Sequence, residues 1–555
     1  MLLWHHPPSV FLRKVVRGSR IYWDLAEGHR DPNSGKVVQK TVAHLGRDED
    51  IAPKLESLRR SIARLVASPL IDLRDLQPNS ARDIGGVWLL DQLWRELGLD
   101  QVLAQTCDDE VARACFAIVA NRILAPRSKL ATSRWLERVA RPDGGEWELD
   151  YQHLLRAMDV VSEHQQELEE KVYWQLVDLL RIDLTLVFVD LTSVYVEGEG
   201  QSPLWQYGVS KDGKRQNKQL LLALVVTPDG YPLAHFLFPG NRAEKQAVLE
   251  MLVELRERYR LQRCVIVGDR GLVSAEVIRA LTEAGYEYIL ALRARQSKTA
   301  VAAVEADQHD WEAVDDNLFV QEVRVENADR VLLALNDEKQ EVDRRWREQL
   351  LERAWEALDA LIERWDSGRL KDEQEAIAAA TKALVQLDAH KFFRVRVTGG
   401  RLTASEREDR LEREAKLDGL FILQSNAADL APTAVVSAYK QLASVERAFR
   451  TLKSFLRVRP VFHFSERRIR AHFFLCVLAY LLENHLGQRL KAAQAEVSAR
   501  AALEALETLR VVDYDLPVAA SSRILIFTRP TPAALALLCK LGLRLPKQLT
   551  LPVAA

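Results

Sequence analysis

The sequence predicts an α/β protein: a mixed sheet flanked by helices, interrupted by an α+β insertion, with a β-rich region and a helical region ahead of it. Three observations predict this. The runs LTLVFVD and RCVIVGD are continuously apolar, as buried central strands are, and end in Asp190 and Asp269. Between them, KQLLLALVV and YPLAHFLFPG flank Thr227-Pro228-Asp229-Gly230, a strong turn signal that predicts a hairpin. Helical periodicity then alternates with strand-like runs up to residue 292.

In chain order, residues 1–80 form a β-rich region, with runs FLRKVV, RIYWDLAE and KVVQKTVAHL and a polar turn at Asp31-Pro32-Asn33-Ser34-Gly35. Residues 81–180 form a helical accessory region, because GVWLLDQLWREL, ARACFAIVANRIL and HQQELEEKVYWQLVDLL carry apolar residues at helical spacing. Residues 181–295 open the sheet. LTLVFVD is its first strand, SVYVEG reads as a second, and the hairpin follows. An amphipathic helix from Ala243 to Tyr259 leads to RCVIVGD, and a helix from Ser274 to Ala284, with Ser274 as its N-cap, leads to the strand YEYILAL. Antiparallel strands followed by helix, strand, helix, strand is the order of a ribonuclease H-like α/β fold. It sets the ends of the first and fourth strands side by side, with Asp190 and Asp269 at those ends.

Residues 296–418 interrupt the pattern as an insertion domain, in which NLFVQEVRVEN, RVLLAL and KFFRVRVTG surround a charged helical stretch, Asp337 to Leu387. Its closely mixed signs predict a solvated or self-paired helix. Residues 419–490 return to the sheet with GLFILQSN, then a long helix from Val435 to Leu456 and a more apolar one from about 466 to 485. A tail, 491–555, adds two helical patches and the strand-like RILIFT.

Composition excludes several classes. At 555 residues there is room for three or four domains of about 100–200 residues each. The net charge of −2 announces no polyanionic partner by itself, so local charge has to carry that question. Cys107, Cys115, Cys264, Cys476 and Cys539 are scattered without zinc-like spacing or a disulfide framework, which fits a reducing cytoplasm. The N-terminal residues lack the apolar core of a signal peptide. Phe473 to Leu482, the most apolar helical stretch, is about half the ~20 residues that cross a bilayer, so a buried core helix is expected and no membrane partner. Gly208-Val-Ser-Lys-Asp-Gly213-Lys214 approaches a phosphate-binding P-loop, but Arg215 replaces the Ser/Thr and a strand follows instead of a helix. His235, His463, His472 and His485 have no metal-like spacing, and no G-x-S-x-G motif marks a hydrolase nucleophile.

The chemistry-bearing pattern is in YKQLASVERAFRTLK. Tyr439, Glu446, Arg450 and Lys453 are spaced by seven, four and three, and at about 100° per residue they share one face of a regular helix. An acid with cations beside it, set against two strand-end aspartates, suits a site that holds both metal and phosphate. Phosphodiester cleavage is served by two divalent ions about 3.5–4 Å apart, one at the attacking and one at the leaving oxygen. Hard ions such as Mg²⁺ take oxygen ligands, so Asp190, Asp269 and Glu446 are the candidate metal-holding and catalytic residues. Between Tyr439 and His472 nine Lys/Arg stand against two acids, and Lys211, Lys214, Arg215 and Lys218 form a second basic patch. Both patches could neutralise DNA phosphates, with steep salt dependence. Taken singly, each residue has an ordinary reading: Asp190 and Asp269 as turn aspartates, Glu446 as a solvated helix residue, the basic run after 456 as a charged surface. The joint occurrence, each acid where the fold requires it, favours function.

These residues resemble the DDE transposases of bacterial insertion sequences, in the branch with a Tyr–Arg–Glu–Lys signature; the resemblance covers roughly 184–490. The signature is matched by Tyr439, Glu446 and Lys453, while Leu442 stands where the pattern has arginine, a role for which Arg450 or Arg447 is expected. The family's second aspartate lies in an Asp-Arg-Gly turn, matched by Asp269-Arg270-Gly271, and its first precedes a small hydroxyl residue, matched by Asp190 and Thr192. A long insertion before the glutamate is also a family trait. The resemblance implies two Mg²⁺ ions, with Mn²⁺ as a substitute, and cut-and-paste transposition. In it water cuts the ends of an insertion sequence and the freed 3′-hydroxyls attack target DNA. It implies DNA as partner (terminal inverted repeats and target), a homodimer on DNA, and bacterial cytoplasm with nucleoid association. Tyr439, Arg447, Arg450, Lys453, Arg457, Arg270, Lys211, Lys214, Arg215 and Lys218 are the expected DNA contacts, and the helical region 81–180 is a candidate DNA-binding domain. Two other readings stay open: a nuclease that only hydrolyses DNA, and a non-catalytic DNA-binding derivative. A carboxylate-pair glycosidase is disfavoured by the cationic helix face.

Overall fold

A computed structural model of the protein describes residues 9–30, 36–65, 78–198, 202–261, 264–271, 273–306, 310–515 and 523–545. They divide into two units, one gathering residues up to 81 with 511–528, the other 82–510 with 529–545. The turn expected at 31–35 lies outside the described residues.

The first unit begins with an antiparallel sheet of β1 (Ser9–Arg17), β2 (Arg20–Arg30) and β3 (Val37–Arg47), followed by α1 (Asp48–Leu65) and β4 (Pro78–Asp83). Asp24 on the central strand ties the sheet together, accepting from Arg13 at 3.0 Å and facing His44 Nδ1 at 2.7 Å.

The second unit opens with helices α2 (Gly85–Glu96), α3 (Leu99–Ala104), α4 (Asp109–Leu124), α5 (Lys129–Leu136), α6 (Tyr151–Glu163) and α7 (Gln165–Leu180). Side-chain caps start several of them: Asp108 accepts from Val111 N, Ser128 from Ala131 N, and Asp150 with His153 closes a capping box.

The sheet that carries the site starts with β5 (Leu186–Tyr195), β6 (Gln219–Val226) and β7 (Pro232–Pro239), all antiparallel neighbours. Helix α8 (Glu244–Glu257) leads to β8 (Val265–Gly268), parallel to β5, and α9 (Ala275–Glu283), capped by Ser274, leads to β9 (Glu287–Ala291), parallel to β8. Every residue of β6 is buried, as the unbroken apolar run Leu220–Val226 requires for a strand covered on both faces. SVYVEG is not a second strand. Residues 193–195 continue β5, because β6 pairs with β5 without a break from Phe188↔Val226 to Tyr195↔Gln219. Asp190 therefore lies inside a strand rather than at its tip.

After α10 (Lys298–Glu305), strands β10 (Glu312–Asp315), β11 (Leu318–Val323) and β12 (Arg330–Asn336) extend the same sheet. Part of the segment expected as an insertion thus belongs to the sheet. The remainder has a core of its own: α11 (Asp337–Asp366), α12 (Glu373–Gln386), the hairpin β13 (Phe393–Thr398) and β14 (Arg401–Glu406), and α13 (Glu408–Ala415) gather around Leu350, Ala354, Leu358, Phe392 and Phe393. The charged stretch self-pairs as expected, for example Arg344 with Glu341 at 2.9 Å and with Glu348 at 2.8 Å.

Strand β15 (Leu420–Ser425) then inserts between β12 and β9, completing nine strands in the order β10–β11–β12–β15–β9–β8–β5–β6–β7. The helix expected from Val435 to Leu456 is three pieces: α14 (Pro432–Lys440), α15 (Ala443–Arg450) and a π-helical turn, Thr451–Phe455. Helix α16 (Glu466–Ala492) is buried on all sides from Phe473 to Leu482 and packs on α4 and α6, so it is a core helix, and the helical region shares its core. No helix among the described residues is long and apolar enough to cross a membrane. The chain closes with α17 (Ala499–Leu506), β16 (Arg510–Asp515), β17 (Arg523–Phe527) and α18 (Pro532–Lys540); β17, β16 and β4 form a third sheet.

Candidate active site

Strand β5 sorts its side chains by alternation. Val187, Val189 and Leu191 enter the core beneath α8 and α9, which leaves Asp190 and Thr192 on the opposite face, where α15 packs. Parallel pairing with β8 ends at Val189↔Gly268, so the next residues on the two strands are Asp190 and Asp269, abreast on neighbouring strands about 4.8 Å apart. Each carboxylate accepts from the following backbone N–H, Leu191 at 2.7 Å and Arg270 at 2.6 Å.

Burial pushes the Asp190 carboxyl up to about 6; Lys211 and the Leu191 N–H oppose the rise, and Asp269 and Glu244 add to it. Tyr439, at the end of α14, connects the third acid to this pair. Its ring stacks on Phe421 at 5.6 Å, and its hydroxyl is pushed up first by burial and then by Asp269, Glu446 and Asp190, with Arg270 opposing. One phenol thus feels all three carboxylates. Glu446 itself is exposed on the first turn of α15. Among the described residues, no three His, Cys, Asp or Glu side chains are gathered closely enough to hold a metal ion.

The single helix face expected for Tyr439, Glu446, Arg450 and Lys453 does not exist as such. The chain turns at Gln441-Leu442, where Leu442 N bonds Tyr439 O at 3.0 Å and Val445 N bonds Leu442 O at 3.1 Å, both i to i−3. Leu442 is 6% exposed, so a core contact stands where the family pattern has arginine. Glu446 and Arg450 still share the exposed side of α15, opposite the buried Val445, Ala448 and Phe449. Lys453 is redirected by the π turn. Its ammonium donates to Thr192 Oγ1 at 2.6 Å and Asp212 at 3.0 Å, reaching the face of β5 that carries Asp190.

The other expected contacts separate. Lys211 donates to Leu191 O at 2.7 Å and pairs with Glu244 at 2.8 Å, so it anchors its loop to β5 beside Asp190. Lys214, Arg215 and Arg270 are exposed, and Lys218 is half-buried. Arg447 is exposed and acts on Glu483 and Tyr480 of α16, on the helix side of α15. Arg457 is exposed with a left-handed φ of 48°. Its carbonyl and that of Leu456 accept from the buried Arg122 at 3.2 and 3.4 Å.

Three residues escaped sequence reasoning. Asp212 is the buried anchor between Lys453 and Arg459, the latter at 2.5 Å. It belongs to the loop dismissed as a false P-loop, and no local pattern distinguishes it. Arg459 also lies over Tyr195, 5.6 Å from the ring centroid. Glu244 begins α8, and a Cβ on Gly271 would come within 3.0 Å of its Oε2, so it sits beside the Asp269 turn. An acid in a helix's first turn was its only signal.

Comparison with known families places the chain. Residues 181–482, more than half of the chain, match the family described as "Transposase DDE domain", and the protein belongs to the DDE transposases. Residues 12–69 match the "IS1634 family transposase, N-terminal domain", which makes it a transposase of the insertion-sequence kind. Its activity is DNA cleavage and strand transfer, its substrate is DNA, and its chemistry depends on a divalent metal. No curated protein matches the chain. Among solved structures, a piggyBac transposase in a synaptic complex with hairpin DNA is similar at 8% identity over 76% of each chain, with a TM-score of 0.36, a likeness too weak to bear on the fold.

Proposed function

We propose that Asp190, Asp269 and Glu446 are the three catalytic carboxylates and that they hold two Mg²⁺ ions, with Mn²⁺ as a substitute. The observation that carries this reading is the pairing register, which sets Asp190 and Asp269 abreast, together with a tyrosine hydroxyl that both of them and Glu446 perturb. The donor set fits: all three ligands are hard oxygens, and unscreened carboxylates repel until cations draw them together. When bound, such ions supply an activated oxygen nucleophile and neutralise the leaving oxygen. Asp190 and Asp269 act from sheet positions, Glu446 from α15, and Lys453 fixes that helix's end on Thr192. The β7–β6–β5–β8–β9 half of the sheet is a ribonuclease H-like core, built from 181–295 and 419–490 around the 296–418 segment. The reaction is cut-and-paste transposition between inverted repeats by a homodimer on DNA, in the bacterial cytoplasm.

The test is a plasmid assay with the element's own ends and either Mg²⁺ or Mn²⁺. Asp269→Asn and Glu446→Gln should lose more than the ~100-fold typical of a residue that only supports a metal ligand, in both cleavage and joining. Duplex binding in EDTA should be retained. Cleavage within tenfold of wild type by either variant would refute the assignment; sedimentation of the DNA complex as one copy would refute the dimer.

A further inference from the structure

The β13–β14 hairpin presents two unlike faces. Phe393, Val395, Val397, Leu402 and Ala404 pack into the core shared with α11 and α12. The alternate residues, Arg394, Arg396 and Thr398 on one strand and Arg401, Thr403 and Ser405 on the other, are all exposed. The pairing is Arg394↔Ser405, Arg396↔Thr403 and Thr398↔Arg401, so three guanidinium groups and three hydroxyls tile one surface. That surface carries no carboxylate. The hairpin's acid, Glu406, faces the other way and accepts from Trp355 Nε1 at 2.5 Å. At the tip, Gly399 and Gly400 have φ of 59° and 74°, and a Cβ on either would meet nothing within 4 Å, while the Gly400 carbonyl accepts from Trp365 Nε1 of α11 at 2.9 Å.

We propose that this outward face is a DNA-backbone contact, a surface distinct from the carboxylate site and resting only on the family's use of DNA. Guanidinium and hydroxyl groups are the donors that phosphates receive from proteins. Arg394 and Arg396 repeat every two residues, about 6.8 Å along the strand, twice the ~3.4 Å axial spacing of phosphates on one DNA strand. A two-stranded ribbon is also slim enough to follow a groove about 12 Å wide. A local charge of +3 in a chain of net charge −2 would be idle against a neutral or cationic partner.

The experiment measures binding of the full chain to a fluorescent 30-base-pair duplex of arbitrary sequence, in EDTA, across salt concentrations. Each phosphate neutralised contributes about 0.9 to the slope of log K against log salt, so three contribute ~2.7. Wild type should therefore lose ~40-fold more affinity than Arg394→Gln/Arg396→Gln/Arg401→Gln between 50 and 200 mM salt. The corresponding triple lysine variant should keep the wild-type slope, and Arg396→Gln alone should lower it by about 0.9. A triple glutamine variant with wild-type slope and affinity would overturn the proposal and leave an acidic protein as the remaining partner. Because EDTA removes the metal that would join DNA to the carboxylates, a lowered slope in the triple glutamine variant reports the hairpin alone, whether or not the carboxylate assignment holds.

Discussion

Asp190 should cost the protein stability, and replacing it with asparagine should release that cost. Its carboxyl is pushed from 3.8 up to about 6, mainly by burial; Lys211 and the Leu191 N–H oppose the rise, and Asp269 and Glu244 add to it. Because the folded value is raised, the ionised side chain penalises the folded state at any pH above about 6, and the penalty fades as pH falls from there to about 4. A shift of about two units at ~1.36 kcal/mol each sets an upper limit of roughly 3 kcal/mol. Asp190→Asn keeps the shape and can still accept from Leu191 N–H. In urea unfolding of the full chain in EDTA, the variant should be more stable than wild type at pH 7.5 by up to about 3 kcal/mol, and the gap should close by about pH 4. The same variant should be inactive in transposition, the usual trade between a strained functional group and stability. A variant no more stable than wild type at pH 7.5, or a gap that ignores pH, would refute this account of the site.

Three further outcomes follow from contacts around it. Lys453→Met removes charged hydrogen bonds to Thr192 and Asp212, and should cost about 1.5–3 kcal/mol in urea unfolding with a parallel loss of strand transfer. Arg122→Met frees the carbonyls of Leu456, Arg457 and Arg127; it should cost about 1–3 kcal/mol and expose the 456–457 backbone to faster amide exchange, although it touches no carboxylate. Gly208→Ala places a Cβ 1.8 Å from Gly240 O, and should cost at least about 1–3 kcal/mol by urea midpoint because backbone must move against backbone.

The parts of the fold legible in the sequence are those where local pattern and tertiary environment agree. LTLVFVD and RCVIVGD are apolar throughout because β5 and β8 are covered on both faces, and the β6–β7 turn and the Ser274 cap announce themselves through residues with local jobs. Three features were illegible because long-range pairing decides them. β5 runs past Asp190 because β6 continues beside it, and β10–β12 join the sheet through β15, which follows them by more than eighty residues. The break at Gln441-Leu442 has no glycine or proline to signal it; it is compensated by burying Leu442 and by i to i−3 bonds. The spacing of Tyr439, Glu446 and Lys453 implied a geometry the structure does not have, since a turn and a π turn, not one smooth helix face, aim them.

That substitution has a physical consequence for how the site is charged. On an unbroken helix Lys453 would stand beside Glu446 and offset it. In the structure its ammonium is held by Thr192 and Asp212, and Arg459 shares Asp212, so both cations are committed to a structural acid, and Arg450 is the signature cation left on the glutamate's side of α15. Lys211 is likewise held by Glu244 and by the Leu191 carbonyl. Four acids, Asp190, Asp269, Glu244 and Glu446, therefore act in a region whose two nearest lysines are already paired, and there it is burial, ahead of any neighbouring charge, that raises the Asp190 carboxyl. An approaching phosphate would meet repulsion in such a place, while the exposed cations at Arg270, Arg450 and Arg457 leave room for its neighbours along the strand. On the proposed reading, added divalent charge would offset that repulsion at the carboxylates.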